Sequence, residues 1–291
     1  MKVGAIYPQT ELGGDIGAVK AFAQAAEEMG YDHLVIYDHV LGADHAGRDP
    51  KLRGPYENTD PFHEPLITYA YLAGVTERIE LVTGVLVLPQ RQTALVAKQA
   101  ADVDLFSGGR LRLGVGVGWN WVEFDALELP DTFKKRGRRQ EAQIELMRKL
   151  WAEQQIDHED DFHRIDRAGI LPLPKRQIPI WLGGSSEVAY DRAARMADGF
   201  LFSGRSQDYA LKIKTRIEGQ LDELGRDRSS FGFESIQSFN RGQNRWPEDI
   251  ATWREAGGSH ISIVTMGADL QKVDDHIDAI RQWREVYDSA G

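Results

Sequence analysis

The sequence predicts an α/β fold of the (β/α)8 TIM barrel kind with an inserted segment. Three observations carry that expectation. Short β-branched runs alternate with longer helical patterns throughout the chain. Eight such pairs fit within 291 residues, and barrels of about 250 residues routinely form one unit, whereas an open doubly wound sheet usually carries fewer strands. Glycine and polar residues gather where the strand runs end, the face on which a barrel carries its chemistry.

The expected strands are 3–7, 33–38, 79–88, 111–117, 178–182, 199–203, 232–237 and 261–266. The expected helices are 17–29, 63–76, 92–106, 133–152, 186–196, 207–224, 247–256 and 270–287, each with apolar residues recurring every three to four positions. Asp60 and Pro61 read as a helix N-cap followed by proline in the first turn, and Ser107, Gly108 and Gly109 stop the helix that begins near Gln92. Gly30, Gly225 and Gly257 mark other helix ends. Two stretches break the rhythm: 42–58, rich in Gly, Pro and charge, and 157–177, which contains Pro172 and Pro174. They read as long loops or small insertions, the kind that cover sites. No linker or repeat divides the chain, so residues 1–291 are expected to form a single domain.

A net charge of −10 argues against a nucleic-acid partner, because phosphate binding needs a basic field, and points to small-molecule ligands. The absence of cysteine excludes thiolate catalysis, disulfides and cysteine-ligated metal centres. No apolar run approaches the 18 or so residues of a membrane span, and the first residues enter a strand pattern at once, so a cytoplasmic protein without a membrane partner is expected.

Residues 110–124 are the most informative stretch. Gly114, Gly116 and Gly118 alternate, so they share one face of a strand and read as clearing room for a flat ligand ring. The alternative is a crowded sheet that needs small residues. A Rossmann turn is excluded, since that needs Gly-x-Gly-x-x-Gly opening into a helix, and here the spacing is Gly-x-Gly-x-Gly. Trp119 and Trp121 suggest aromatic pocket walls.

Asp38 and His39 close the second strand, where an imidazole can move a proton near neutral pH. Gly183, Gly184, Ser185 and Ser186 precede a helix whose free N–H groups would suit a phosphate, with a plain serine N-cap as the neutral explanation. A Val at position 184 would obstruct the backbone approach and strain a positive-φ turn there. The run Lys134 to Arg139 reads as a solvated helical face, and His158 to His163 as a solvated turn. No metal-ligand spacing is evident, and no metal is expected.

Taken as a set, Tyr37 to Val40, Thr76 to Ile79 leading into Thr83, Gly84 and Val85, Gly108 to Asn120, Arg136 to Arg139, Ile178 to Gly184 and Ala197 to Gly199 give a chain that resembles the luciferase-like monooxygenase superfamily. Within it the chain is most similar to the deazaflavin (coenzyme F420)-dependent oxidoreductases. The resemblance implies a barrel with an inserted segment, a homodimer, and a cofactor over the carboxyl ends of the strands. It implies a cis peptide at Gly84–Val85, and His39 as the catalytic residue facing the deazaflavin ring and substrate. The implied cofactor-binding residues are Asp38, Thr83, Gly84, Val85, Gly116, Val117, Gly118, Trp119, Gly183, Gly184, Ser185 and Ser186. The sugar-phosphate dehydrogenase branch has a glutamate where Trp119 stands and a tryptophan near Ala43, so glucose 6-phosphate is not the expected substrate. The implied reaction is hydride transfer between F420 and a small organic substrate. The alternatives are an FMN-dependent monooxygenase of the same fold and a non-catalytic deazaflavin-binding protein.

Overall fold

The computed structural model describes residues 1–202 and 206–290, so Ser203, expected at the end of a strand, lies outside the described residues. The first half contains β1 (Lys2–Ile6), α1 (Gln9–Leu12), α2 (Ile16–Glu28), β2 (His33–Ile36), α3 (Pro65–Ala73), β3 (Glu80–Thr83) and β4 (Leu86–Val87). It continues with α4 (Thr93–Phe106), β5 (Leu111–Gly116), α5 (Trp121–Ala126) and α6 (Arg136–Ala152). A hairpin of β6 (Ile156–Glu159) and β7 (Arg164–Ala168) follows, then β8 (Ile180–Gly183), α7 (Glu187–Met196), β9 (Gly199–Leu201) and α8 (Gln207–Glu223). The chain ends with β10 (Gly232–Ser238), α9 (Trp246–Glu255), β11 (His260–Val264) and α10 (Val273–Ser289).

The main sheet runs β3-β2-β1-β11-β10-β9-β8-β5, all parallel, and pairing of Leu81 in β3 with Leu111 in β5 closes it into an eight-stranded barrel. The strands are nearly continuous apolar runs because both faces are covered. Inside, Ile6, Val35 and Val82 form one apolar layer. Towards the amino ends lies a polar layer in which buried Glu234 accepts from His33 Nε2 (2.8 Å) and from Arg112 (2.7 Å). Gly4 makes that layer possible: a Cβ there would collide with His33 and with Ser262. The outer core lies between strands and helices, and includes Phe22, Tyr69, Ile144 and Trp253. Among the described residues no helix is long and apolar enough to cross a membrane.

Several local expectations need correction. The expected strand 79–88 is two pieces, β3 and β4, separated by the Gly84–Val85 peptide, which is cis as the resemblance implied. Helix α3 is capped by Glu64, whose Oε2 accepts from Ile67 N (2.7 Å), while Asp60 serves the preceding loop by accepting from Glu57 N. Helix α6 starts at Arg136 because residues Pro130–Lys135 form a 3-10 turn. Of the two readings of the stretch 157–177, long loop or small insertion, the second holds, since it contains most of the β6–β7 hairpin. Helices α1 and α5 are too short for a period to be read from sequence. Gly30, Gly225 and Gly257 do lie in the left-handed region just past helix ends.

Candidate active site

The barrel mouth is built where β2 hands over to its loop. Asp38 is buried there, and both its carboxylate oxygens are engaged: Oδ2 accepts from Val87 N (2.8 Å) and Oδ1 pairs with Arg91 (2.8 Å). Burial raises its carboxyl above the ordinary value, against the pull of Arg91 and the Val87 amide. Arg91 also pairs with Glu64 (2.6 Å). Asp38 therefore ties the chain just after β2 to β4 and to the segment that follows it.

His39, the next residue, has a side chain only 10% exposed. Three aromatic rings meet it edge-on: Tyr56 at 5.5 Å between ring centres, Phe62 at 5.0 Å and Trp119 at 5.5 Å. The long loop 42–58 closes over this cluster, for a Cβ on Gly54 would run into the Trp119 ring and His45 meets the same ring edge-on. Tyr56 and Phe62 were not anticipated, because an aromatic residue in an irregular loop has no period to mark it.

Glu123 was missed as well, and it is the residue that holds His39. Its Oε2 lies 3.3 Å from His39 Nδ1, and its Oε1 accepts from Val40 N (2.6 Å) and Leu41 N (3.1 Å). Burial pushes the carboxyl up, but the hydrogen bonds from His39 and Leu41 and the electrostatic pull of the His39 ring outweigh it and hold the group below the usual carboxylate range. A sequence signal existed. Asn120 followed three residues later by Glu123 is the pattern of a capping box, and Asn120 does cap α5 by accepting from Glu123 N (3.3 Å). The Glu123 side chain, however, reaches across to the loop that follows β2.

The alternating glycines do not face open space. A Cβ on Gly114 would collide with the Thr83 carbonyl and lie 2.5 Å from Leu201, and Thr83 donates its hydroxyl to Gly114 O (2.7 Å). At Gly116 a Cβ would strike Val85, and at Gly183 it would lie 2.7 Å from the other Val85 methyl. The bare strand end is a seat for Val85, which corrects the reading that it is directly cleared for a ring. Gly118 takes a left-handed φ of 73° and its carbonyl accepts from Arg136 Nε (3.2 Å), with the partly exposed Val117 before it and Trp119 after.

Gly183, Gly184, Ser185 and Ser186 connect β8 to α7. Ser186 is the N-cap, accepting from Ala189 N (3.3 Å), and Ser185 is exposed. Gly184 has no left-handed φ. Its crowding comes from Ala189, whose Cβ lies 2.8 Å from where a Cβ on Gly184 would be, so the expectation of a strained positive-φ turn is replaced by a packing restriction. The run Lys134 to Arg139 is only partly solvated. Arg136 turns to Gly118 and stacks on Phe133 (4.0 Å), and Arg139 donates to Arg91 O (3.3 Å), both towards the mouth.

Two features lie outside this site. His158, Asp160 and His163 in the inserted hairpin place one ligand-type atom each within 4.8 Å of one another. The two imidazoles are 8% and 10% exposed, so this is not a solvated turn. Every ring nitrogen has a partner: His158 Nε2 (2.8 Å) and His163 Nδ1 (3.0 Å) face Asp160, His158 Nδ1 faces the Lys149 ammonium (3.2 Å), and His163 Nε2 faces Thr93 Oγ1 (2.6 Å). A metal on His158 Nε2 would require a proton on Nδ1, opposite that ammonium, so the cluster works as a latch between insert and barrel. Separately, a cleft of about 490 Å³ lined by Trp181, Phe231 and His260 opens at the amino ends of the strands. In this fold that end serves stability, while chemistry belongs at the carboxyl ends.

A family model described as luciferase-like monooxygenase matches residues 2–238. An uncharacterized protein of Mycobacterium tuberculosis is 33% identical over 209 residues, 70% of this chain and 71% of that protein. An F420-dependent glucose-6-phosphate dehydrogenase of Segniliparus rotundus is 30% identical over 71% of this chain and 59% of its own length. An FMNH2-dependent dimethylsulfone monooxygenase of Pseudomonas fluorescens is 29% identical over 96% of this chain and 70% of its own. Among solved structures, an F420-dependent secondary alcohol dehydrogenase in complex with an F420-acetone adduct superposes with a TM-score of 0.78 over 98% of both chains at 14% identity, a likeness of fold.

Proposed function

Because this chain belongs to the luciferase-like monooxygenase family, we propose that it is an F420-dependent oxidoreductase that moves a hydride between the deazaflavin and a small organic substrate. The observation that carries this reading is an imidazole, His39, held by a buried carboxylate within an aromatic cluster at the barrel mouth. Such a group serves proton transfer that accompanies hydride transfer.

The residues present fit a planar ring with a phosphate tail. Gln9, fully buried after β1, has its Oε1 occupied by Tyr37 N (2.7 Å) and its Nε2 without a partner, so it can donate to a ring carbonyl. Val85, backed by Gly116 and Gly183, offers an apolar surface for a ring face. The free N–H groups at the start of α7, with exposed Ser185, would receive the phosphate. Bound there, the deazaflavin would supply a carbon that gives or takes hydride while reacting poorly with oxygen. His39 holds and moves the proton, Trp119, Tyr56 and Phe62 exclude water, and Thr83, Asp38 and Gly118 keep the strand ends in place.

A second reading, an FMN-dependent monooxygenase, is supported by the relative that aligns over 96% of the chain. Titration of the purified protein with each cofactor, followed by fluorescence quenching, separates the two. Micromolar binding of FMN without binding of F420 overturns the first. His39→Ala then distinguishes an enzyme from a carrier: turnover should fall about 10²–10⁴-fold while cofactor affinity stays. Ile67 and Tyr71 on α3 and Leu95 on the adjacent α4 are exposed, which supports pairing with a second copy. A solution mass of only 32.7 kDa would reject that homodimer.

A further inference from the structure

Glu123 accepts three hydrogen bonds from one short segment, and their pattern decides which nitrogen of His39 can do chemistry. Its Oε1 is occupied by the amides of Val40 and Leu41, at 2.6 and 3.1 Å, so only Oε2 faces His39 Nδ1. An ionised carboxylate accepts and cannot donate, so the proton in that contact belongs to Nδ1. A neutral imidazole has one N–H, which leaves the lone pair on Nε2. The carboxylate is itself held firmly: Glu123 lies in the first turn of α5, its side chain is 1% exposed, and Asn120 caps its amide.

We propose that Glu123 is a positioning residue that holds neutral His39 as the Nδ1–H tautomer, making Nε2 the atom that exchanges a proton with the substrate. This rests on the oxidoreductase reading above. For a substrate that carries a hydroxyl, the O–H proton would pass to His39 Nε2 as the carbonyl forms, and a deazaflavin bound beside it would supply the acceptor for the C–H hydride. In the reverse direction His39 Nε2 would return the proton to the oxygen, the bound deazaflavin supplying the hydride to carbon. Glu123 stays ionised throughout and acts only through His39.

The test is a long-range ¹H–¹⁵N spectrum of protein carrying ¹⁵N-histidine, without cofactor, at a pH about two units above the ordinary imidazole value of about 6.5. The His39 signals are assigned by their loss in His39→Asn. The wild-type chain is expected to show one fixed tautomer with the proton on Nδ1. In Glu123→Gln the amide oxygen should take the place of Oε1 at Val40 and Leu41, which turns the NH₂ group towards Nδ1. The proton then moves to Nε2, and turnover with F420 falls about 100-fold or more at unchanged F420 affinity. A wild-type ring protonated on Nε2, or a Glu123→Gln spectrum identical to wild type, overturns the proposal. The wild-type spectrum decides even where the variant does not fold. The two readings fail separately: a wrong tautomer in a protein that binds F420 removes the positioning role alone. A correct tautomer in a protein that binds no F420 removes the oxidoreductase reading and the proton transfer with it.

Discussion

Val85 occupies the space that a side chain on Gly116 would need, and its second methyl does the same at Gly183. The residue after the cis bond is thus seated between two strands, β5 and β8, that pair directly with each other. Gly116→Ala should overpack this seat and destabilise the fold by about 1–3 kcal/mol in urea unfolding. Val85→Ala should relieve it, so that the double variant is more stable than the two single costs predict. Strict additivity would show that Val85 can move aside.

The turn after β8 separates binding from folding. Ser186 caps α7, so Ser186→Ala should cost about 1 kcal/mol of stability. Exposed Ser185 caps nothing, and Ser185→Ala should leave the melt unchanged while weakening F420 binding by about 1 kcal/mol, roughly fivefold. Gly184→Val, crowded against Ala189, should lose F420 affinity far more severely. Normal affinity in a well-folded Gly184→Val protein would place the phosphate elsewhere, with Arg136 and Arg139 the next candidates.

The polar layer inside the barrel makes stability depend on acid. Burial raises the Glu234 carboxyl, yet His33 and Arg112 outweigh it and hold the group well below the usual carboxylate range. Its contribution is complete above the unfolded value of about 4.3 and is lost as pH falls through the lower folded value. Urea midpoints of the wild-type chain should therefore drop below about pH 4, and those of Glu234→Gln should drop less. At neutral pH Glu234→Gln should cost about 3–5 kcal/mol, because buried Arg112 keeps only Glu80 as an ionic partner. A flat pH profile in the wild-type chain would remove this role.

The inserted hairpin depends on Asp160, which faces both His158 and His163. Asp160→Ala should leave two largely buried ring nitrogens unpartnered. Limited proteolysis within residues 156–168 should accelerate about tenfold or more, while the unfolding midpoint of the barrel stays near wild type. Cleavage at the wild-type rate would mean that Thr93, bonded to His163, and Lys149, bonded to His158, hold the hairpin without Asp160.

The local rules of the chain were legible where a period or a cap carried them. Helix ends at Gly30, Gly225 and Gly257 and the cap at Ser186 follow from residue type, because a left-handed φ or a side-chain acceptor is needed at that spot whatever the surroundings. The Gly84–Val85 cis bond was accessible only through family resemblance, since no propensity marks it. The identity of the residue that orients His39 was not legible. Asn120 and Glu123 carry a local capping signal, and the side chain that completes that pattern is spent on a loop residue 84 positions away.

By itself the sequence determined the alternation of strands and helices, hence the parallel barrel, and it determined the family through motifs at the strand ends. Both depend on periodicity and on short contiguous patterns. Only the tertiary structure decided that Val85 fills the glycine seat, that Asp38 is an anchor with both oxygens engaged, and that Glu123 governs His39. Those relationships exist because closing the ring through β3 and β5 sets distant strand ends side by side, and no pattern local to one segment encodes what its neighbour across the barrel will be.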